Sequence, residues 1–387
     1  MIELTDYTLE QVTVNIFSGG TPTTTNPEFW NGVFPWLSSG ETRNRYINKA
    51  EKTITEEGIK KSSTRLAKKN DIIIASAGQG HTRGQTSFSN IDTYVNQSLI
   101  VVRANEEIVD SKYLFFNLNN RYEELRKLSD AHSSRGSLTT KLLKGLNIKL
   151  PNIQTQRRIV SIIASLDDKI ELNNQMNYTL VNMVQAIFKE WFLDFNFPGF
   201  DGELVDGLPK GWRMGTIDDV STLIAGGDKP RVYSEYETET HNVPIYSNGI
   251  SNDGLFGFTS HPRIDVECVT VSARGTIGYP VLRQQPYFPI VRLLSVIPKV
   301  DVASAKYIFL WLKNSNIKGT GTTQQQLTAP DFKRFDVLIP EKSCVDNFTK
   351  IADNIYSKIL ENKKQIEIIE QIRSSLIPKL MTGKIAI

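Results

Sequence analysis

Two cysteines, Cys268 and Cys344, are all that a chain of 387 residues carries, and they stand far apart with no Cys-x-x-Cys spacing. A disulfide framework and a cysteine zinc site are thereby excluded, and a reducing compartment is implied. No apolar run approaches the roughly 20 residues needed to span a bilayer, and the first ten residues carry acids where a secretory leader would carry lysines. The expectation is a cytoplasmic protein with no membrane contact. Excess charge is lacking as well. The formal charge is +3, so nucleic-acid binding has to rest on placed side chains rather than on a polycationic surface. No GxxxxGK[ST] phosphate loop, nuclease cluster or metal-ligand spacing is present. No catalytic residue and no metal ligand is assigned.

What is present is a repeat. From Pro151 to Phe195 apolar residues recur at alternating steps of four and three, Ile159, Ile163, Leu166 and Ile170, then the polar Asn173 and Asn177 in the same steps, then Leu180, Val184, Ile187 and Trp191. The same steps give Phe348, Ala352, Ile355, Ile359, Asn362, Ile366, Ile369, Arg373 and Leu376 near the C-terminus. Both are heptad seams with a polar centre. Pro151 and Pro340, Lys169 and Lys358, and Asn173 and Asn362 are each 189 residues apart. Asn152 is positioned to cap the first helix, which stops before Pro198. Ser343 with Asp346 gives a capping-box spacing for the second, and Pro378 predicts its end near Ile377.

The segments before each helix repeat too. Gly19–Gly20 reappears as Gly226–Gly227, FPWLSSG at 34–40 as VPIYSNG at 243–249, and SAGQG at 76–80 as SARG at 272–275. SKYLFFNLNN is repeated as AKYIFLWLKN at 305–314, and SLTTKLLKGLNIKLP at 137–151 as QLTAPDFKRFDVLIP at 326–340. Short strand-like runs (71–78, 98–105, 146–151), a helix over Lys112–Arg126 and frequent turn residues make each segment a compact α+β domain. The organisation read from this is a domain over 1–151, a long helix over 152–195, a linker over 196–212, a second domain over 213–340 and a second helix over 341–387.

Taken in duplicate and in order, GGTPTTTNPEFWNGVFPWLSSGE at 19–41, the helix ending KEWFLDF, LPKGW at 208–212, SARGTIG at 272–278 and IPKLMTGKI at the end resemble the type I restriction-modification specificity subunits. The resemblance spans almost the whole chain. It implies two tandem α/β target-recognition domains joined by two long antiparallel helices in a coiled coil, pseudo-twofold symmetric. It implies double-stranded DNA as ligand, each domain reading one half of a bipartite target. It implies two methyltransferase subunits docked on the helices, and restriction/translocase subunits as further partners. No cofactor is expected on this chain, S-adenosylmethionine belonging to the partner methyltransferase. A methylation-only or type IIB-like system is the alternative within that class.

A self-contained DNA adenine methyltransferase is the rival from another class, because NPEF at 26–29 resembles the Asn-Pro-Pro-Phe/Tyr catalytic motif and SAGQG a cofactor loop. Glu28 stands where the second proline belongs, and the second domain repeats neither motif.

Side chains able to pair with base edges or phosphates occur in polar loops of both domains. In the first they are Arg43, Arg45, Gln79, His81, Arg83, Ser133, Ser134 and Arg135. In the second they are Lys229, Arg231, Asn248, Arg274, Gln324, Gln325 and Gln326. The acidic trio Glu235, Glu237 and Glu239 is expected to face away from DNA. Asn173, Asn177 and Asn362 are read as fixing the register of the helix pair, with Asn173 and Asn362 meeting near the helix centres. The aromatic run Phe188–Phe197 is read as core.

Overall fold

The computed structural model describes residues 3–78, 81–130, 136–318 and 326–385. It has two compact units, Met1–Leu172 with Gln365–Ile387, and Asn173–Lys364. Each is built to the same plan. In the first, a sheet runs in the order Thr13–Ser18, Leu99–Ala104, Ile72–Ala75, Thr86–Ser89, Tyr46–Ile47. In the second the corresponding order is Ser221–Ala225, Leu294–Pro298, Cys268–Val271, Pro280–Arg283. The central strand Ile72–Ala75 is buried along its length, as its uninterrupted Ile-Ile-Ile-Ala run requires.

A smaller sheet accompanies each. It contains one parallel pair, Trp36 and Leu37 beside Tyr94 and Val95 in the first unit and Ile245 and Tyr246 beside Phe288 and Pro289 in the second. Glycine is required where the two sheets meet. A Cβ at Gly19 would enter the backbone carbonyl of Val95, and one at Gly226 would lie 2.8 Å from that of Ile290. The repeated Gly-Gly is thus a close backbone approach, made twice.

A two-stranded ribbon, Thr5–Thr8 with Asn147–Leu150, feeds the first long helix, and Arg213–Thr216 with Asp336–Ile339 feeds the second. The helices span Ile153–Phe192 and Lys342–Met381, 40 residues each. Asn152 caps the first, its Oδ1 accepting from the Thr155 amide at 2.9 Å. That helix ends before Pro198, with Phe195 left-handed at φ +59°.

Within each unit the helices run antiparallel. Asp167 meets Arg373 in the first, while Asn177 meets Asn362 and Trp191 meets Phe348 in the second, so numbers rise on one helix as they fall on the other. Ile159 and Ile163 join Ile377, Leu380 and Met381 in the core of the first unit. In the second, Val184, Phe188 and Phe192 pack with Phe348, Ala352 and Tyr307, the rings of Phe192 and Tyr307 lying 4.8 Å apart edge to face. The core reading of the aromatic run holds for Phe188 and Phe192.

Four sequence expectations need correction. The second helix starts at Lys342, one residue before Ser343; the amides of Cys344 and Val345 bond to the Glu341 carbonyl, and Asp346 pairs with Lys342. That helix also runs through Pro378 to Met381. The missing bond costs about 3 kcal/mol, and burial of Ile377, Leu380 and Met381 offsets it at about 1.5–3 kcal/mol per fully buried side chain. Lys112–Arg126 is two helices, Ser111–Asn119 and Tyr122–Asp130. The break sits at Asn120–Arg121, where Arg121 bonds the Asn147 carbonyl at 2.8 Å. Finally, the buried stripe of the first helix drifts off the heptad seam: Asp167, Phe188 and Phe192 are buried, whereas Leu166, Ile187 and Trp191 are half-buried. A straight helix at 3.6 residues per turn slips about 20° per heptad.

Candidate nucleic-acid interface

Local hydrogen bonding fixes the loop that carries Arg43 and Arg45. Ser38 opens a short helical turn, Ser39–Arg43, and the Glu41 carboxylate accepts from the Ser38 amide at 3.1 Å and from the Glu51 amide at 2.9 Å. Burial pushes the Glu41 pKa up, against the pull of those two amides. Arg43 stays exposed and pairs with Glu51 at 3.0 Å.

Arg45 turns inward. Its Nε bonds Asp167 at 3.1 Å, its Nη1 donates to Asn119 Oδ1 at 2.6 Å, and its guanidinium lies 5.1 Å from the Phe115 ring centroid. Tyr46 donates to the same Asp167, and Arg373 of the second long helix reaches it at 2.6 Å. Burial, then the Asp167 charge, raise the Tyr46 pKa far above its ordinary value. His81 is exposed, its backbone carbonyl accepting from the Tyr122 hydroxyl at 2.8 Å. Arg83, read as a loop side chain, is instead buried and paired with Asp130. Arg43, Arg45 and His81 line one groove, whereas Gln79, Ser133, Ser134 and Arg135 lie outside the described residues.

In the second unit Lys229 and Arg274 line a groove of about 470 Å³. Lys229 sits 4.8 Å above the Tyr233 ring, and Arg274 Nε donates to Gln326 Oε1 at 3.2 Å. Arg231 is exposed, as are Glu235, Glu237 and Glu239. Asn248 is engaged on both sides: its Nδ2 donates to the Val291 carbonyl at 2.6 Å, and its Oδ1 accepts from the Ala273 amide at 2.7 Å. It staples two loops. Gln324 and Gln325 lie outside the described residues.

Sequence reasoning missed two arginines here. Arg292 lines the Lys229 groove from a left-handed pair, Val291 at φ +54° and Arg292 at +59°. A β-branched residue in that region is strained, and nothing in the local sequence signals it. Arg283 is buried, donating to Thr270 Oγ1 at 2.9 Å and to the Asp253 carbonyl at 2.6 Å, its guanidinium 3.5 Å from the Tyr246 ring centroid. Desolvation lowers its pKa.

Among the described residues no group of three or more His, Cys, Asp and Glu is placed to hold a metal, and no helix is long and apolar enough to cross a membrane. One groove in each unit carries exposed polar side chains, Arg43 and His81 in the first and Lys229, Arg274 and Arg292 in the second, and the two grooves draw largely on different loops of the repeat.

Comparison with known proteins agrees with this duplication. The family model described as type I restriction modification DNA specificity domain matches residues 1–181 and again 209–376. The chain is 25% identical over 400 residues to the specificity subunit of the type I restriction enzyme MjaIX of Methanocaldococcus jannaschii, covering 96% of this chain and 91% of that one. It is 24% identical over 400 residues to the HindI specificity subunit of Haemophilus influenzae, covering 82% and 87%. The crystal structure of a type I restriction-modification S subunit from M. genitalium superposes with a TM-score of 0.63 at 15% identity, over 98% of this chain and 96% of that one, which shows a shared fold. With one matched segment in each half of its tandem repeat, the chain belongs to the type I restriction modification DNA specificity family.

Proposed function

We propose that this chain is the DNA-reading component of a type I restriction-modification complex and performs no chemistry itself. Each unit contacts one half of a bipartite duplex target through its groove and flanking loops. Two methyltransferase subunits, holding S-adenosylmethionine, dock on the helix pair, and restriction/translocase subunits complete the complex. The observation that carries this reading is the duplication: a sheet, ribbon and long helix of the same plan are built twice while the loop side chains differ. A repeated scaffold with divergent polar loops suits one protein reading two different short sequences.

Arg43, His81, Lys229, Arg231, Arg274 and Arg292 are the described side chains best placed to reach DNA, since each is exposed. The near-neutral charge makes the isolated chain a weak non-specific binder.

Replacing residues 210–339 by the matching segment of a relative and mapping methylation across a genome tests the reading. One half-site should change and the other stay. Alteration of both half-sites would overturn it. Calorimetry with S-adenosylmethionine on the isolated chain tests the non-catalytic assignment, and saturable binding of the cofactor would count against it.

A further inference from the structure

The groove of the first unit has a volume of about 440 Å³, and the side chains lining it include Arg43, Arg45, His81, Asn119, Tyr122 and Arg373. Among the described residues no carboxylate lines it. Asp167 lies buried behind it and is shared by two guanidiniums, Arg45 at 3.1 Å and Arg373 at 2.6 Å. Other acids neutralise the groove weakly: Glu370 stands 3.8 Å from Arg373, and the Arg43–Glu51 pair is exposed on both sides. Two arginines against one buried carboxylate leave a net positive charge facing the groove. Arg45 Nη2 is buried and donates to no protein acceptor, an arrangement that native structures rarely tolerate without a ligand or water.

The second unit shows that packing of the helix pair does not require this charge. The 189-residue offset puts Tyr356 at the position of Asp167 and Val184 at that of Arg373. Both are buried. The same layer is therefore apolar in one copy and ionic in the other, and apolar replacements of buried ion pairs are commonly neutral or stabilising. The ionic version is found where it lines a groove.

We propose that this groove is an oxyanion site that takes a backbone phosphodiester of duplex DNA, with Arg373 of the C-terminal helix among its ligands. This rests on the DNA-reading role above and adds a residue outside the recognition domain. Through the shared Asp167, a phosphate on Arg45 and Arg373 also pulls on both long helices. A phosphate contact positions the duplex and carries no base preference.

The test is anisotropy titration of labelled duplexes, with and without the target sequence, by the full-length chain between about 50 and 200 mM salt. Arg43→Gln and His81→Gln alter exposed side chains and leave the Asp167 cluster intact. Arg373→Gln is compared with Arg373→Lys, which keeps the charge, and thermal melts confirm that each variant is folded. Each lost phosphate contact should lower the slope of log affinity against log salt by about 0.9 and weaken both duplexes by the same factor. Arg373→Lys should retain most of the slope.

Wild-type slopes and affinities in Arg43→Gln, His81→Gln and Arg373→Gln would overturn the groove assignment while leaving the DNA-reading role intact. So would a loss confined to the target duplex, the signature of base reading. Inorganic phosphate followed by ³¹P NMR distinguishes a free-anion site: Arg373-dependent binding of phosphate with unchanged DNA slopes would also overturn the proposal. If the wild-type chain bound no duplex at any salt, the DNA-reading role itself would fall.

Discussion

Asn362 donates from Nδ2 to Oδ1 of Asn177 at 2.8 Å, joining the two long helices at a layer where Asn362 is fully buried and Asn177 half-buried. The repeat offset makes Asn173 the counterpart of Asn362 and Ile366 that of Asn177. Asn173 is fully buried as well. Buried amides in the seam penalise shifted pairings, because a slip places Asn362 against leucine or isoleucine.

Asn362→Leu removes the bond to the half-buried Asn177 and should destabilise the chain by about 0.5–1.5 kcal/mol. The double variant with Asn177→Leu should recover most of that loss. Urea midpoints of the four species give the coupling directly, and additive losses would show that the bond contributes nothing to the pair.

Asp167→Ala leaves the guanidiniums of Arg45 and Arg373 without their carboxylate. Removing one partner from a buried ion cluster costs about 3–5 kcal/mol. The urea midpoint should fall accordingly, and a loss below about 1 kcal/mol would mean that the cluster is as weak as a surface pair.

Stability should decline at alkaline pH through Cys268. Its thiol is buried 3.0 Å from the Tyr287 hydroxyl, and burial pushes its pKa from 9.0 to about 11. Between those values the unfolded chain has lost a proton that the folded chain keeps. Stability is therefore fully present below pH 9.0 and declines as pH rises toward about 11, with a limiting slope of about 1.4 kcal/mol per pH unit. Cys268→Ala removes this component, so the stability difference between wild type and variant should narrow from pH 8 to 10. A difference independent of pH would contradict the assignment.

Both long helices begin in one unit and end in the other. Inserting one heptad after Asn177 and another after Ile366 keeps the seam in phase and adds about 10 Å to each helix. If the helices set the distance between half-sites, the unread spacer should lengthen by about three base pairs while the recognised bases stay the same. Methylation mapping of the complex reads this out. An active complex with an unchanged spacer would assign the distance to the partners.

The sequence by itself determined the features that depend on neighbours along the chain. The two long helices, the Asn152 cap and the strand at Ile72–Ala75 follow from patterns along the chain, and each is present in the structure. Tertiary structure decided what depends on distant partners. Pro378 stays helical because the core of the first unit buries the turn around it, and helix propensity is weaker than that burial. Arg373 holds a charge at a seam position because Asp167 is there to meet it, 206 residues away in sequence. Arg45 and Arg83 turn inward for the same reason, each drawn to a carboxylate that no local pattern identifies. Val291 and Arg292 hold left-handed backbone without glycine because Gly226, Gly227 and Asn248 bind their main-chain groups from across the groove. Local pattern sets the period of a helix or strand; which polar side chains face solvent is settled only when packing brings opposite charges and unpaired amides within hydrogen-bond reach.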